Sequence, residues 1–119
     1  MIQVTPRTRI LIAKEPLDFR RGIDGTAASC RAVLEESPMT GTLFVFRNRA
    51  GTMIRLLHYD GQGFWIATKR MSKGRFRFWK GFASGDASMR VAAHQLHVLL
   101  VGGDWTKTPK AAPDWRKIA

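Results

Sequence analysis

"LFVFRNRAGTMIRLLHYDGQGFWIATKR", residues 43–70, decides how this chain folds. "LFVF" at 43–46 is apolar throughout and reads as a buried strand, and "NRAG" at 48–51 carries turn chemistry. "TMIRLLHYD" reads as a second strand, "DGQG" supplies the glycines of a hairpin turn, and "FWIATKR" reads as a third strand. After another turn, "MSKG", the run "RFRFW" at 75–79 alternates between charge and ring. Successive side chains on a strand point to opposite faces, so Arg75, Arg77 and Trp79 share one side and Phe76 and Phe78 the other. The segment therefore predicts an antiparallel meander. Its register turns on the loop between Asp60 and Phe64, because a one-residue slip moves every side chain to the other face. A three-residue loop, "GQG", places Arg55, Leu57 and Tyr59 on one face with Trp65 and Lys69, and leaves Ile54, Leu56, Phe64 and Ile66 for the core. That register separates basic from apolar side chains best and is the one favoured, while a two- or four-residue loop, which the sequence leaves open, puts the opposite residues of the next strand beside Arg55.

Upstream, "RILIA" at 9–13 is a short β-rich run ended by Lys14, Glu15 and Pro16, and reads as the first strand. In "LDFRRGIDGTAASCRAVLEESP", Asp24 is placed to cap a helix whose apolar positions Ala27, Ala28, Cys30, Val33 and Leu34 recur at helical spacing before Pro38 and Gly41. Gly22 and Gly25 flank that cap and imply a tight backbone path. Downstream, "GFASGDASMR" at 81–90 reads as a loop of small residues. "VAAHQLHVLLVGG" reads as a second helix, with Val91, Leu96, Leu99 and Leu100 on one stripe and Gly102 and Gly103 as its stop. The expected architecture is α+β, a single domain over residues 1–105: an antiparallel meander of about five strands with one helix after the first strand and another after the last. Residues 106–119 are expected to be a basic, disordered tail.

The 119-residue chain carries 20 Lys and Arg against 9 Asp and Glu, a net charge of +11. That excess is not spread evenly. Residues 43–80 hold nine basic side chains against Asp60 alone, while residues 1–42 nearly balance at six against five. Concentrated charge costs self-repulsion unless a polyanion offsets it, so the central segment points to nucleic acid. The candidate phosphate-contacting residues are Arg47, Arg49, Arg55, Lys69, Arg70, Lys73, Arg75 and Arg77, with Arg20 and Arg21 within reach from the first connection. Trp65, Trp79 and Tyr59 are candidate stacking residues for unpaired bases. The basic positions lie on strand-like segments and not on an amphipathic helix, which argues against a membrane surface.

Chemistry other than binding finds little support. His94 and His97 stand three apart on the second helix, but no Cys, Asp or Glu there completes a metal site. Asp18, Asp24, Asp60, Asp86 and Asp104 sit mostly at turns or caps, where short carboxylates bond nearby backbone N–H groups. No Walker loop, GxSxG or cysteine-histidine arrangement is present. The expectation is a protein that is not an enzyme and needs neither metal nor cofactor, nor a small-molecule substrate. A single cysteine excludes an intrachain disulfide and fits a reducing cytoplasm, and no apolar run reaches the length of a membrane span.

"DFRRGIDGTA" at 18–27, "GTLFVFRNRAGTMIRLLHYDGQGFWIATKRMSKGRFRFW" at 41–79 and "QLHVLLVGGDW" at 95–105 resemble the TnpB-type, Orf2-like accessory proteins of insertion-sequence family 66. The resemblance spans residues 9–105. It implies a small protein encoded beside a larger transposase, assisting DNA transposition, with no established catalytic residue. DNA and the transposase, with other proteins of the element, are the implied partners. A pure protein-protein adaptor, its basic face meeting an acidic patch on the transposase, is the competing expectation. Three positions depart from the family pattern. Thr26 stands where an apolar residue is usual, Val91-Ala92-Ala93 replaces a Ser or Thr cap, and Gly103 replaces an apolar residue. Together they predict a weakened and less firmly docked second helix.

Overall fold

Ile10–Ala13 form β1, buried at every position, and Leu43–Arg47 form β2, buried at all but the last. The ten-residue helix α1, Ile23–Ala32, lies between them in sequence. A chain that leaves one strand, crosses over through a helix and returns to pair with that same strand can run parallel to it. β1 and β2 do so, with Ile10 opposite Leu43 and Ile12 opposite Val45. Met53–Tyr59 (β3) and Phe64–Arg70 (β4) continue the sheet antiparallel, and Ser88–Val91 (β5) closes its other side against β1. The order is β4-β3-β2-β1-β5, and the eight-residue helix α2, Ala93–Leu100, follows β5. The computed structural model describes residues 2, 4–76, 82 and 84–104.

Because the sheet is buried on both faces, its central strands read as continuous apolar runs. Ile10, Ile12, Leu43, Val45 and Ile54 point to one face and pack with Leu96 and Leu99 of α2. Leu11, Ala13, Phe44, Phe46 and Leu57 point to the other and pack with Cys30 of α1 and Leu34 beyond it. The result is a single α+β layer structure, helix on sheet on helix.

Five expectations need correction. The sheet is mixed and not a pure meander, since the α1 crossover makes β1 and β2 parallel. "SMRV", which begins within the expected loop, is β5; four residues beside a small-residue run are too short to show periodicity. The β3–β4 loop has four residues, because Tyr59 pairs with Phe64 and Arg55 with Thr68. Arg55, Leu57, Tyr59, Phe64, Ile66 and Arg70 therefore share the α1 face, while Ile54, Leu56, Trp65 and Lys69 share the α2 face. Asp24 does not cap α1: Gly22 is the N-cap residue and Asp24 lies in the first turn. Of the expected strand 75–79, Arg75 is exposed and Phe76 is buried in the α2-face core, neither in strand conformation. Its remaining residues, with the expected tail, lie outside the described residues.

The departures from the family pattern acquire structural roles. Thr26 is fully buried and its hydroxyl donates to the Gly22 carbonyl at 2.9 Å. Ala92 offers no side-chain acceptor, but the buried Gln95 three residues on accepts the Ala92 N–H at 2.8 Å, supplying half of a capping box. Gly103 donates its N–H to the Val98 carbonyl at 2.9 Å, and a Cβ there would sit 2.9 Å from Val98 Cγ1. Glycine suits the position because the chain passes too close to α2 for a larger residue to fit without a shift.

Candidate nucleic-acid interface

The strand directions carry the basic side chains to one end of the sheet. β1 and β2 finish there, β3 starts there and β4 finishes there. Arg47 ends β2 and its guanidinium donates to the Lys14 carbonyl at 3.3 Å, while Leu17 N–H donates to the Arg47 carbonyl at 2.8 Å. Arg49 occupies the β2–β3 turn, which Asn48 organises by accepting the N–H groups of Thr52 and Met53 at 2.9 and 3.0 Å. Gly51 holds φ +75° in that turn, a conformation glycine adopts without strain. Arg70 lies opposite Met53. Beyond it the chain folds back on the same turn: Met71 N–H donates to the Thr52 carbonyl at 2.9 Å and Phe76 N–H to that of Gly51 at 2.8 Å, which brings Arg75 alongside Gly51. Lys73 lies on this return path.

Arg49, Arg70, Lys73 and Arg75 are exposed and have no carboxylate partner among the described residues. Arg20 borders the same end, across a cleft of about 640 Å³ that Leu17, Phe19, Arg49 and Met53 also line. Its exposed guanidinium forks onto Asp18, with Nη2 2.9 Å from Oδ2. The hydrogen bonds from Arg20 hold the Asp18 carboxyl down at about 2.

Three of the expected residues are committed elsewhere. Arg55 reaches from the sheet over the first connection: its Nη1 donates to the Arg21 carbonyl at 2.6 Å and the Thr26 hydroxyl at 3.3 Å, and its Nη2 to the Phe19 carbonyl at 3.0 Å. The guanidinium carbon also stands 4.5 Å from the centre of the Phe19 ring. Partial burial lowers its pKa, yet a guanidinium remains charged at any physiological pH. Arg55 thus clamps residues 19–26 to the sheet. Lys69, on the opposite face, donates from Nζ to the Leu100 carbonyl at 2.6 Å and so caps the C-terminus of α2. Arg21 is exposed and turned along α1, with Nη1 3.5 Å from the Ser29 hydroxyl.

The candidate stacking residues stand apart from this end. Trp65 is 43% exposed, but it pairs with His58, five strand positions from Arg70 and hence about 17 Å away. Its indole N–H donates to Asp60 Oδ2 at 2.7 Å. Tyr59 is half-buried against Phe64, with ring centres 5.0 Å apart. Arg77 and Trp79 lie outside the described residues. Sequence reading placed Lys14 at the end of β1 but did not count it with the basic residues, because the coincidence of this end with the end of β2 becomes evident only once the two strands are known to be parallel. Among the described residues, no group of three or more His, Cys, Asp or Glu side chains could hold a metal ion, and no helix is long and apolar enough to cross a membrane. Cys30 is buried, and desolvation raises its thiol pKa to about 12.

The profile of the family described as "IS66 Orf2 like protein" matches residues 8–110. Two curated relatives come from Sinorhizobium fredii (strain NBRC 101917 / NGR234). Uncharacterized protein y4jC is 32% identical over 110 residues, covering 92% of each chain. Uncharacterized protein y4hO is 36% identical over 105 residues, covering 88% of this chain and 89% of its own. No solved structure matches.

Proposed function

The chain belongs to the IS66 Orf2-like family of insertion-sequence proteins, and from that membership and the placement of its charges we propose that it is a non-catalytic accessory factor of transposition that binds DNA through the basic end of its sheet. One observation carries the reading: Arg49, Arg70, Lys73 and Arg75 converge on the β2–β3 turn, exposed and without carboxylate partners among the described residues. Cations gathered at one pole repel one another, and a phosphate backbone removes that cost while releasing its own counterions. The contacts position the protein on the duplex through its phosphates, which carry no sequence information directly. DNA and the transposition machinery are the partners, and the charges of Arg77 and the tail add to the attraction.

Fluorescence anisotropy of the protein alone with duplexes of unrelated sequence tests this. Affinity should fall with salt at about −0.9 log units per log unit for each phosphate contacted, similarly for every sequence. No binding at low salt, with retention of the element's transposase, would make the basic end a protein-docking surface instead.

A further inference from the structure

β4 is the outermost strand of the sheet, and among the described residues no strand pairs with its outer edge. It is seven residues long and contains no proline. Natural proteins usually protect such edges by shortness, bulges, proline or charged side chains, and of these β4 has only Lys69 and Arg70, both at its C-terminal end. The direction of its free amides follows from its neighbours. Asp60 N–H bonds the Gly63 carbonyl and Met71 N–H that of Thr52, so within the β3–β4 ladder residues 65, 67 and 69 turn their N–H and C=O groups toward β3. Alternation then turns those of Phe64, Ile66, Thr68 and Arg70 outward.

We infer that this edge pairs antiparallel with the same edge of a second copy, about a two-fold axis through Ala67. The sequence "FWIATKR" is self-complementary in that register. Phe64 lies opposite Arg70 of the other copy, Trp65 opposite Lys69, Ile66 opposite Thr68, and Ala67 opposite itself. The Arg70 guanidinium thus meets the Phe64 ring, the alkyl stem of Lys69, whose ammonium caps α2, meets Trp65, and the branched residues meet each other. The smallest side chain stands on the axis. The amide directions agree, because Ile66–Thr68 and Phe64–Arg70 join residues whose N–H and C=O both point outward. A parallel copy in register would set Lys69 against Lys69 and Arg70 against Arg70, and like charges directly opposite are destabilising. The strand ends that would repel a parallel partner therefore select the antiparallel one. The dimer is a continuous ten-stranded sheet, five strands from each copy, whose basic ends point in opposite directions.

Light scattering after gel filtration should give 26.8 kDa, twice the 13.4 kDa of the chain, at high protein concentration. Thr68→Pro removes an N–H that β3 does not use and should return the protein to a monomer with its circular dichroism unchanged. Ala67→Cys places two thiols across the axis at a non-hydrogen-bonded pair, where Cα atoms are about 4.5 Å apart, within disulfide reach. It should oxidise to a covalent dimer, whereas Gln62→Cys, on the exposed loop five residues from the axis, should not; buried Cys30 stays out of the reaction in both. A monomer at every concentration, or equal crosslinking by the two cysteine variants, overturns the inference even if Thr68→Pro fails to fold.

Discussion

Arg55 shows how far a residue's type can be read and its task cannot. Its charge was evident in the sequence, but its role depends on the Phe19 and Arg21 carbonyls and the Thr26 hydroxyl, which the chain brings to it from some thirty positions away. Removing it leaves those acceptors unpaired and uncovers the Phe19 ring. Arg55→Ala should destabilise the fold by about 2 kcal/mol, the scale of hydrogen bonds from a charged group at a partly exposed site. Arg55→Lys should recover little, because one ammonium cannot reproduce a planar fork that bonds two carbonyls and lies over a ring. Chemical denaturation of the three proteins measures this, and an Arg55→Ala variant as stable as wild type would refute the clamp. Thr26 belongs to the same arrangement: the position that departs from the family pattern is one that meets the clamp.

At the scale of elements, strands β1 to β4 and both helices were legible because their apolar runs and turn residues were local. Register and strand direction were not. Segregating apolar from basic side chains favoured a three-residue loop on the assumption that one sheet face is solvated, whereas helices cover both faces and apolar residues are needed on each. The four-residue turn is set by Asp60, whose Oδ1 accepts the N–H groups of Gln62 and Gly63 at 2.9 and 3.0 Å while Oδ2 accepts the Trp65 indole. Those bonds, the two backbone ones foremost, lower its pKa from the usual 3.8 to about 2. A carboxyl depressed on folding contributes stability that is present above its unfolded pKa and lost as pH falls through the folded value. Between about pH 4 and 2 the wild type should therefore lose more thermal stability than Asp60→Asn, which keeps an acceptor oxygen without the charge. Equal losses, with Asp18 titrating alike in both proteins, would show that the turn does not depend on the ionised form.

On the scale of the whole molecule, the charge excess was visible in residues 43–80, but its geometry was not, because a face and an end of a sheet draw on the same residues in different combinations. Arg55 and Lys69 were expected together on one basic face; the register puts them on opposite faces, each holding a neighbouring segment. What unites the remaining cations is strand direction, which delivers Arg49, Arg70 and Arg75 to one pole. The location of charge is thus distinct from its amount, and a matched pair of variants separates the two. Arg49→Ala with Arg75→Ala removes two cations from the basic end. Arg7→Ala with Arg31→Ala removes two exposed cations from the opposite end, where β1 begins and α1 finishes. Each double variant lowers the net charge from +11 to +9. The decisive measurement is the salt dependence of duplex binding by both: the first should lose about 1 to 2 units of slope, one for each phosphate contact removed, and the second should keep the wild-type slope. Equal slopes in the two folded variants would contradict a DNA interface at this end of the sheet.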